Sequence, residues 1–544
     1  MAAVVSSPQI HGLSEHQAHD KTTAIPDHPV AEPRTIDDLL LDRASTSGST
    51  EPIVAYPDSD SVYAFYTPQD LNRLAERAAT YYASILPPRK TSDDPVQVVG
   101  LLGPSYFQYL ITVIGVSKLG HTALLLSTRI SEEAYVHLLN STSATTLLVD
   151  DSFQDMAQTL RPQVEGLKVG SIADMRTLEA ANPSLEIVNH KRDSARETNN
   201  VAWIIHSSGS TGLPKPIYLT HKAALRNYTN ANPHLRGFIT LPLFHAHGIS
   251  NTFRAIVAKK LIFIYSGSLP LTSQHLISTL KSHDIDIFYG VPYALKLLSE
   301  DDQGTALLAR LKAVMFGGSP CPKPIGDKLV AHGVNLVSHY GSTETGQLMT
   351  SFRPDDDKDW DFVRVPAVLK PYLSMEERYP GIYELCVLDG WPSKVMSNRK
   401  DGSYATKDLF ERHPTTPNAW RYYARHDDTI VLMNGEKANP LLVEGVAREN
   451  KNVAEAIAFG SNKPSVGMFL LPAHHHMEHE DVIDSVWPAI EQTNSRVPAY
   501  ARLSKDMIRV LTPDTTYRKT DKSTVIRAAF YKDFARQILS LIHI

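Results

Sequence analysis

The feature that most constrains the fold is an alternation of short β-branched runs with helical stretches, which begins near residue 36. Stretches such as Tyr106–Leu119 and Pro292–Ser299 have helical patterns and lie between strand-like runs. The predicted strands are Val96–Leu102, Thr145–Asp150, Val201–His206, Leu261–Tyr265, Ile285–Tyr289, Ala313–Phe316 and Leu336–His339. Strands that alternate with helices form βαβ units, so the expected class is α/β with mostly parallel sheets and flanking helices. Several strands end in Gly- or Ser-rich loops, and ligands of such sheets bind beyond the carboxyl ends of the strands.

Changes in composition divide the chain into four predicted segments. Residues 1–35 are rich in Ser, His, Pro and Asp without an apolar period, which predicts a disordered leader. A polar stretch with two prolines near 411–420 has the composition of a domain border. We therefore expect a large domain over 36–425, a small α+β domain over 426–530 and a tail over 531–544.

The small domain has its own pattern of elements. The expected elements are a hairpin around Thr429–Lys437, a helix from Pro440, strands near 453–460 and 466–471, and a helix from Asp481. Pro488 should kink or break that last helix, because proline removes a backbone donor.

Composition excludes several classes of function. The 544 residues are 42% hydrophobic and 21% charged, so a large core can be buried. The net charge is −5, which argues against a broad nucleic-acid-binding surface. The two cysteines, Cys321 and Cys386, exclude a disulfide framework and a multi-cysteine zinc site, and they suit a reducing compartment. The sequence has no evident membrane span or secretory signal, so we expect no membrane partner and a cytoplasmic location.

An acidic run and a histidine-rich run are both interpreted as exposed loops. Asp355–Asp357 is expected to be a solvated loop. His474–His476 with His479 could bind a metal adventitiously, but their spacing fits no standard zinc pattern. An exposed loop is therefore the favoured interpretation of the histidines.

The most informative segment runs from Trp203 to Lys215, where an apolar strand enters a loop with two glycines, four hydroxyl residues and a lysine. Backbone N–H groups at glycines form an anion-binding nest, hydroxyls add donors, and the lysine adds a positive charge, which suits a polyphosphate. Leu213 and Pro214 separate the last glycine from the lysine, so this segment is not a P-loop. The predicted phosphate-binding residues are Ser207, Ser208, Gly209, Ser210, Thr211, Gly212 and Lys215.

This segment and seven others resemble, in order, the motifs of the adenylate-forming superfamily of acyl-CoA synthetases, luciferases and peptide-synthetase adenylation domains. The others are Gly115–Gly120, Pro242–Gly248, Gly317–Pro320, Tyr340–Gly346, Tyr404–Leu409, Arg425–Asp428 with Asn434–Lys437, and Thr520–Arg527. The resemblance covers about residues 36–530, and eight motifs in order are specific. The residues of these motifs look most similar to those of fungal peptide-synthetase-like adenylate-forming enzymes of secondary metabolism.

The resemblance implies ATP-dependent conversion of a carboxylic acid to an acyl-AMP, with release of pyrophosphate. The phosphate loop would hold the outer phosphates, and Tyr340 would stack on adenine. Thr343 would donate to the α-phosphate, and Glu344 would bind Mg²⁺. Gly317, Gly318 and His339 belong to the loops that the resemblance implies around the nucleotide.

The resemblance also assigns the ribose contact to Tyr404–Leu409. Asp408 would accept from both ribose hydroxyls, because a carboxylate offers several acceptor positions. Arg425 would support the ribose or the phosphates. Lys407 stands where the family has glycine, so the backbone at this position is not predicted.

Lys522 is the implied catalytic lysine, which would contact the carboxylate and the α-phosphate as charge develops. Lys519 is a close alternative, because this chain departs from the family's Gly-Lys-x-x-Arg pattern. Asp427 is the implied hinge. After rotation of the small domain, the loop of Gly435, Glu436 and Lys437 would replace Lys522 at the active site.

The acid is expected to be aryl, keto or aliphatic. Relatives that activate amino acids have an Asp close to the position of Phe244, whereas here His245, Ala246 and His247 follow. A buried substrate ammonium would therefore lack a counterion, at a cost of several kcal/mol. His245 is expected to line the site and to contribute to catalysis, and His247 is expected to be a hydrogen-bonded core histidine.

The expected acyl acceptor is a thiol, either of CoA or of the phosphopantetheine on a separate carrier protein. One alternative is a free acid–CoA ligase. A second alternative, outside the enzymes, is a catalytically degenerate nucleotide-binding relative.

Overall fold

The computed structural model describes residues 32–45, 50–58, 62–181, 192–207, 213–230, 233–434, 436–475, 477–520 and 524–542. Seven predicted site residues lie outside the described residues, namely Ser208, Gly209, Ser210, Thr211, Gly212, Gly435 and Lys522. Residues 1–31 of the predicted leader and His476 lie outside them as well.

The strands of the described residues belong to four sheets. In chain order they are β1 (Val54–Pro57), β2 (Tyr63–Tyr66), β3 (Val98–Leu102), β4 (Thr122–Leu126), β5 (Thr146–Val149), β6 (Lys168–Ser171), β7 (Val201–Ser207), β8 (Lys215–Thr220), β9 (Gly237–Ile239), β10 (Ile262–Ile264), β11 (Ile287–Gly290), β12 (Ala313–Gly317), β13 (Leu336–Ser342), β14 (Gly346–Thr350), β15 (Phe362–Arg364), β16 (Leu373–Tyr379), β17 (Ile382–Val387), β18 (Tyr404–Arg412), β19 (Ala419–Arg425), β20 (Ile430–Val431), β21 (Lys437–Ala438), β22 (Val453–Phe459), β23 (Val466–Pro472) and β24 (Leu503–Val510).

Helices cover the faces of these sheets. Among the described residues they are α1 (Ile36–Ser45), α2 (Pro68–Tyr82), α3 (Phe107–Lys118), α4 (Glu132–Ser141), α5 (Gln154–Leu160), α6 (Met175–Ala180), α7 (Ser194–Glu197), α8 (His221–Thr229), α9 (Ala246–Ala258), α10 (Ser273–Ser282), α11 (Pro292–Ser299), α12 (Asp302–Ala309), α13 (Lys323–Ala331), α14 (Pro440–Arg448), α15 (His479–Asn494), α16 (Arg527–Asp533) and α17 (Ala535–Ile542). Short 3₁₀ turns lie at Asp151–Phe153, Ala367–Tyr372 and Ala499–Ala501.

The large domain contains a six-stranded and a 13-stranded sheet. Their strand orders are β6-β5-β3-β4-β7-β8 and β16-β17-β18-β19-β15-β14-β13-β12-β11-β9-β10-β1-β2. The middle of the larger sheet, from β1 to β13, is parallel. Every residue of β4 is buried, as expected for a parallel strand covered on both faces. The α/β prediction is therefore confirmed.

The antiparallel half of the larger sheet, which runs from β14 to β19, was not predicted. In β16, for example, no residue is fully buried and two are exposed. A strand with one face in solvent lacks the continuous apolar run that identifies a buried strand.

The most apolar helix of the large domain is α3, which is buried in the core over nearly its whole length. It has only 12 residues. Within the part of the chain that the structure describes, no helix combines the length and the apolar character needed to cross a membrane.

The C-terminal part contains the hairpin β20-β21 and the sheet β22-β23-β24. The predicted hairpin, the helix from Pro440 and both strands are present. Pro488 was predicted to kink or break the helix, and the break is wrong, because α15 continues through this residue. Val486 and Ile490 on either side of it are fully buried against the small sheet, and this packing maintains the helix despite the missing N–H.

The predicted tail contains the end of α16 and the whole of α17. Phe530, Phe534 and Ile538 pack against Phe469 of β23, so these helices complete the core of the small domain. Asp355 and Asp356 are exposed, whereas Asp357 is half-buried and pairs with Arg364. His474, His475 and His479 are exposed.

Candidate active site

One cleft brings together the predicted site residues of the large domain. It has a volume of about 3000 Å³, and the carboxyl ends of β7, β12 and β13 open into it. The predicted residues that line it are Ser207, Lys215, His245, Gly317, Gly318, His339, Tyr340, Thr343, Glu344, Asp408, Arg425 and Asp427. Glu436 lies in the exposed turn between β20 and β21, outside this lining.

Strand β13 contributes to two halves of the cleft with consecutive residues. The His339 ring faces His247, with Nδ1 3.1 Å from Nε2 of His247. The Tyr340 hydroxyl donates instead to Oδ2 of Asp408 over 2.6 Å. Successive strand residues point to opposite faces, which explains the divergence. We call the two halves the histidine face (Asn227, His245, His247, Arg254, His339 and Gln347) and the tyrosine face (Ser207, Tyr340, Glu344, Asp408 and Arg425).

Asp408 is the electrostatic centre of the tyrosine face. Its carboxylate accepts from the Tyr340 hydroxyl and, over 3.3 Å, from Nη1 of Arg425 on the neighbouring strand β19. Burial raises the pKa of Asp408 to about 6, against the opposing effects of Arg425 and Tyr340. The carboxylate is thus ionised at neutral pH and can accept further hydrogen bonds.

Lys407 explains how this chain replaces the family's glycine. It adopts a left-handed backbone with φ of 63°, a conformation that glycine enters without strain. Its Nζ lies 3.3 Å from Oδ2 of Asp427, the predicted hinge residue, whose Oδ1 accepts from Nε of Arg425 over 3.0 Å. Burial acts to raise the pKa of Asp427, but the two cations outweigh it and lower that pKa.

The phosphate-loop strands meet Glu344 at the other end of the tyrosine face. Ser207 is paired with Lys215 across β7 and β8, so the predicted loop joins two antiparallel strands. The Ser207 hydroxyl donates to Oε1 of Glu344 over 2.9 Å. Lys215 is exposed at the rim. No group of three or more potential metal ligands occurs among the described residues, so Glu344 is a single carboxylate rather than part of a protein cage.

The histidine face begins at the start of α9. His245 is the residue before the first turn, and its ring packs edge-on against Phe244. His247 is half-buried, as expected of a hydrogen-bonded histidine, but it lines the cleft as well. Burial, together with the charges of His247 and Arg254, holds the pKa of His339 well below its usual value.

Three polar residues of the histidine face were not predicted. Arg254 is buried on α9 and donates to the backbone and side-chain oxygens of Asn227. Oδ1 of Asn227 also accepts from the backbone N–H of Gln347 over 3.0 Å. A signal existed for Arg254 alone, because His247, Asn251 and Arg254 share one face of α9 at i, i+4 and i+7.

Two glycines allow the close packing of this face. A Cβ at Gly317 would lie 3.1 Å from Cε1 of His247 and 2.9 Å from the His339 carbonyl oxygen. Gly346 has φ of 72°, and a Cβ there would lie 2.8 Å from Oδ1 of Asn227. Larger residues would therefore close the space between α8, α9 and β13.

The small domain forms another wall of the cleft through α14 and the segment near Arg527. Arg527 donates to Oε1 of the buried Glu444 over 2.6 Å, which fixes α16 on α14. Lys519 lies over the Tyr517 ring, with Nζ 4.7 Å from the ring centre.

Comparison with known protein families agrees with this geometry. The family model described as AMP-binding enzyme matches residues 54–376, and the model described as AMP-binding enzyme C-terminal domain matches residues 427–543.

Curated relatives include adenylate-forming reductase Nps10 of Heterobasidion annosum, which is 28% identical over 92% of this chain and 49% of that protein. Carboxylic acid reductase of Neurospora crassa is 26% identical over 79% of this chain and 43% of that protein. The chain therefore spans about half the length of the curated relatives it matches.

Solved structures share the fold across both domains. Anthranilate CoA ligase AuaEII in complex with anthranoyl-AMP has a TM-score of 0.73 at 17% identity, over 92% of this chain and 97% of that chain. o-Succinylbenzoate CoA synthetase of Bacillus subtilis, in complex with ATP and magnesium ion, has a TM-score of 0.71 at 19% identity, over 90% and 98%. The resemblance drawn from the sequence motifs is confirmed, and the chain belongs to the AMP-binding enzyme family, with the adenylate-forming fold.

Proposed function

We propose that this protein activates a carboxylic acid with ATP, forming an acyl-AMP and releasing pyrophosphate. The observation that carries the proposal is the convergence of Ser207, Glu344, Tyr340 and Asp408 on one cleft, with the histidine face beside them. The family membership supports the same reaction, as does the anthranoyl-AMP bound in the AuaEII structure.

In this reaction a carboxylate oxygen attacks the α-phosphorus of ATP. A new P–O bond forms between the α-phosphorus and the acid. The bond between the α-phosphorus and the oxygen that bridges it to the β-phosphorus breaks, so pyrophosphate leaves with the electron pair. Such a displacement depends mainly on position and on stabilisation of developing charge. Asp408 and Arg425 would hold the ribose, and the Tyr340 ring would stack on adenine. Asp408 would exchange its bond from Tyr340 for bonds from the ribose hydroxyls.

The single carboxylate of Glu344 fits a magnesium ion that is held largely by substrate phosphates. Mg²⁺ in nucleotide sites usually takes one or two protein carboxylates and keeps several waters. When bound, the ion neutralises charge on the phosphates. Glu344 would orient its oxygens through the bond from Ser207.

Lys522 supplies the positive charge at the reacting carboxylate in this proposal. The alternative, Lys519, already lies against the Tyr517 ring, which supports the choice of Lys522. The Gly435–Lys437 loop would take its place after the small domain rotates about Asp427.

The proposed second step transfers the acyl group to a thiol. A carrier-bound phosphopantetheine is our first choice, since the similar curated relatives are adenylate-forming reductases about twice as long as this chain. A free acid–CoA ligase is the second candidate, supported by the CoA ligases among the similar structures.

Acid-dependent ATP–pyrophosphate exchange tests the first step, with a panel of aryl, keto, aliphatic and amino acids. We expect exchange with at least one of the first three classes and none with amino acids. AMP release on addition of free CoA would identify the CoA ligase, whereas exchange without CoA turnover favours the carrier. ATP binding without exchange for any acid would contradict the proposal and favour a non-catalytic nucleotide-binding protein.

A further inference from the structure

Helix α1 lies outside the lining of the cleft, yet it contacts both helices that contribute to the histidine face. Helix α8 carries Asn227, and α9 carries Arg254. The backbone N–H of Ile36, at the start of α1, donates to Nδ1 of His221 at the start of α8 over 3.2 Å. Arg43, in the last turn of α1, donates to the end of α9. One short helix thus connects the two helices of the site to each other.

The contact of Arg43 with α9 is made at two backbone carbonyl groups. Nε of Arg43 donates to the carbonyl oxygen of Ile256 over 3.1 Å, and Nη2 donates to that of Val257 over 2.9 Å. The remaining nitrogen, Nη1, pairs with Asp42 of α1 itself. The last carbonyls of a helix need donors from outside it, and the helix dipole favours a cation there. Because only 14% of the Arg43 side chain is exposed, water competes little for these bonds, and Arg43 fixes the end of α9.

Helix α1 is itself anchored in the large domain. Nζ of Lys118 on α3 lies 2.6 Å from Oδ1 of Asp37, and less than a tenth of either side chain is exposed. Leu39 and Leu40 are buried in the largest core. Burial lowers the pKa of His221 to about 4, so its ring is neutral near pH 7 and Nδ1 stays an acceptor for the α1 backbone. These anchors make α1 a fixed support for α8 and α9.

The end of α9 that Arg43 fixes is close to a cleft residue. Arg254 precedes Ile256 by two positions and donates to Oδ1 of Asn227 over 3.1 Å. At the other end of α9, a Cβ at Gly248 would overlap the carbonyl oxygen of Pro242, so this end is already packed against backbone. Without Arg43, α9 can therefore move mainly by tilting at its last turn. Such a tilt separates Arg254 from Asn227.

We propose that Arg43 is a positioning residue of the acid site, and that α1 fixes α8 and α9 at the spacing that the acid requires. This inference rests on the proposed function, in which the acid lies at the histidine face. The residues that define the tyrosine face lie instead on β7, β13, β18, β19 and the turn after β13. Loss of Arg43 should therefore affect the acid and spare the nucleotide.

Arg43→Met keeps an unbranched side chain and removes its donors, so it tests the role in ATP–pyrophosphate exchange. With the best acid of the panel we expect kcat/KM for the acid to fall about 10-fold or more, because misplacement by about 1 Å can cost as much as 10²-fold. The KM for ATP should stay within about twofold. Arg43→Lys restores a cation and a donor at the end of α9, so it should recover part of the loss.

Arg73→Met is the matched control. Arg73 lies on α2, pairs with Asp70 and has 47% of its side chain exposed, so the same substitution there should leave both constants unchanged.

Hydrogen–deuterium exchange adds a measurement that needs no acid. In Arg43→Met the amides of residues 253–258 should exchange about 10-fold faster than in the unaltered protein, because the last turn of α9 opens more often. The amides of β18, which carries Asp408, should exchange at the same rate in both proteins.

The outcomes separate this inference from the proposed function. Acid kcat/KM that is unchanged in Arg43→Met, or a loss that affects the acid and ATP equally, overturns the inference and leaves the proposed function standing. Absence of pyrophosphate exchange with every acid in the unaltered protein overturns the proposed function, and with it the role of Arg43. If Arg43→Met does not fold, Arg43→Lys decides. A fall in its acid kcat/KM with a constant KM for ATP supports the inference, and unchanged acid kinetics overturn it.

Discussion

The two faces of the cleft differ in how their polar groups are satisfied. On the tyrosine face, Asp408 is bound by Tyr340 and Arg425, so the charges compensate one another before a ligand arrives. On the histidine face no acidic residue takes part, and the contacts join histidine, amide and guanidinium groups, such as His339 with His247 and Arg254 with Asn227. A ligand of the tyrosine face must therefore exchange existing contacts with a carboxylate. In the proposed function that ligand is the nucleotide, and the acid lies at the histidine face.

Removal of the small-domain lysine should have the largest effect. It should slow the chemical step while binding at both faces is retained. In Lys522→Ala we expect the exchange rate to fall about 10²–10³-fold, because the charge that stabilises the transition state is lost. The KM values for ATP and for the acid should change little. Lys505→Ala is the control, since Lys505 pairs with Asp484 on the surface. A normal rate in Lys522→Ala, with a comparable loss in Lys519→Ala, would transfer the role to Lys519.

A substitution on the tyrosine face should weaken the binding of ATP without changing which acid is preferred. In Asp408→Asn the KM for ATP should rise about 10–100-fold, because a hydrogen bond to a charged group contributes about 1.5–3 kcal/mol. The relative kcat/KM values of different acids should not move. Asp93→Asn, at an exposed ion pair with Arg196, is the control variant and should be neutral. A change in acid preference in Asp408→Asn would show that the two faces are not separate.

The pH dependence should distinguish the faces as well. The folded pKa of Asp408 is about 6, so its carboxylate takes up a proton as the pH falls through 6 and loses acceptors for the ribose. The KM for ATP should therefore rise up to about tenfold per pH unit below 6. His339 stays neutral, since its pKa lies well below 6.5, so the KM for the acid should be flat between pH 6 and 8.

Asp408→Asn, measured with the same ATP, corrects for the ionisation of ATP itself. In this variant the rise that Asp408 causes below pH 6 should be absent. An inflection of the acid KM near pH 6.5, or an identical ATP profile in both proteins, would refute the assignment.

The smallest expected effect concerns the strained backbone behind the tyrosine face. Lys407→Gly and Lys407→Met both lose the surface pair with Asp427, but only glycine relieves the left-handed backbone. The free energy of unfolding should be about 1 kcal/mol higher for the glycine variant. Asn418→Gly, at φ of 56°, should gain less because Asn tolerates this conformation. Denaturant titrations that give equal stabilities for both Lys407 variants would show that the backbone is unstrained.

Several of the strands buried on both faces were predictable, and so was the family, although β4 and β9 are fully buried and were not predicted. Continuous apolar runs located β3, β7 and β12 to within a few residues, and the motif order identified the fold. Among the antiparallel strands, β16 and β18 were missed because solvent-facing residues interrupt the apolar pattern, whereas β14 and β15 are mostly buried and were missed although they have no such interruption. The backbone at Lys407 could not be predicted either, since a non-glycine residue in this conformation depends on its tertiary contacts.

The histidine face was predicted only in part. His245 and His247 belong to a recognisable motif, but Gln347 and Asn227 reach the same space from β14 and α8. Nothing in the sequence indicates that these two residues lie close together. The contact between Asn227 and the Gln347 backbone is a property of packing, so it emerges only once these elements are assembled.

In the proposed function both faces belong to one site, joined by His339 and Tyr340 on β13. Calorimetry with a non-hydrolysable acyl-adenylate analogue, which carries the preferred acid as its acyl part, measures whether they do. Because one molecule would occupy both faces, we predict affinity at least about 10³-fold above that of AMP. Asp408→Asn and Gln347→Met should each weaken it. An analogue that binds the unaltered protein no more tightly than AMP would show that the two faces do not form one site.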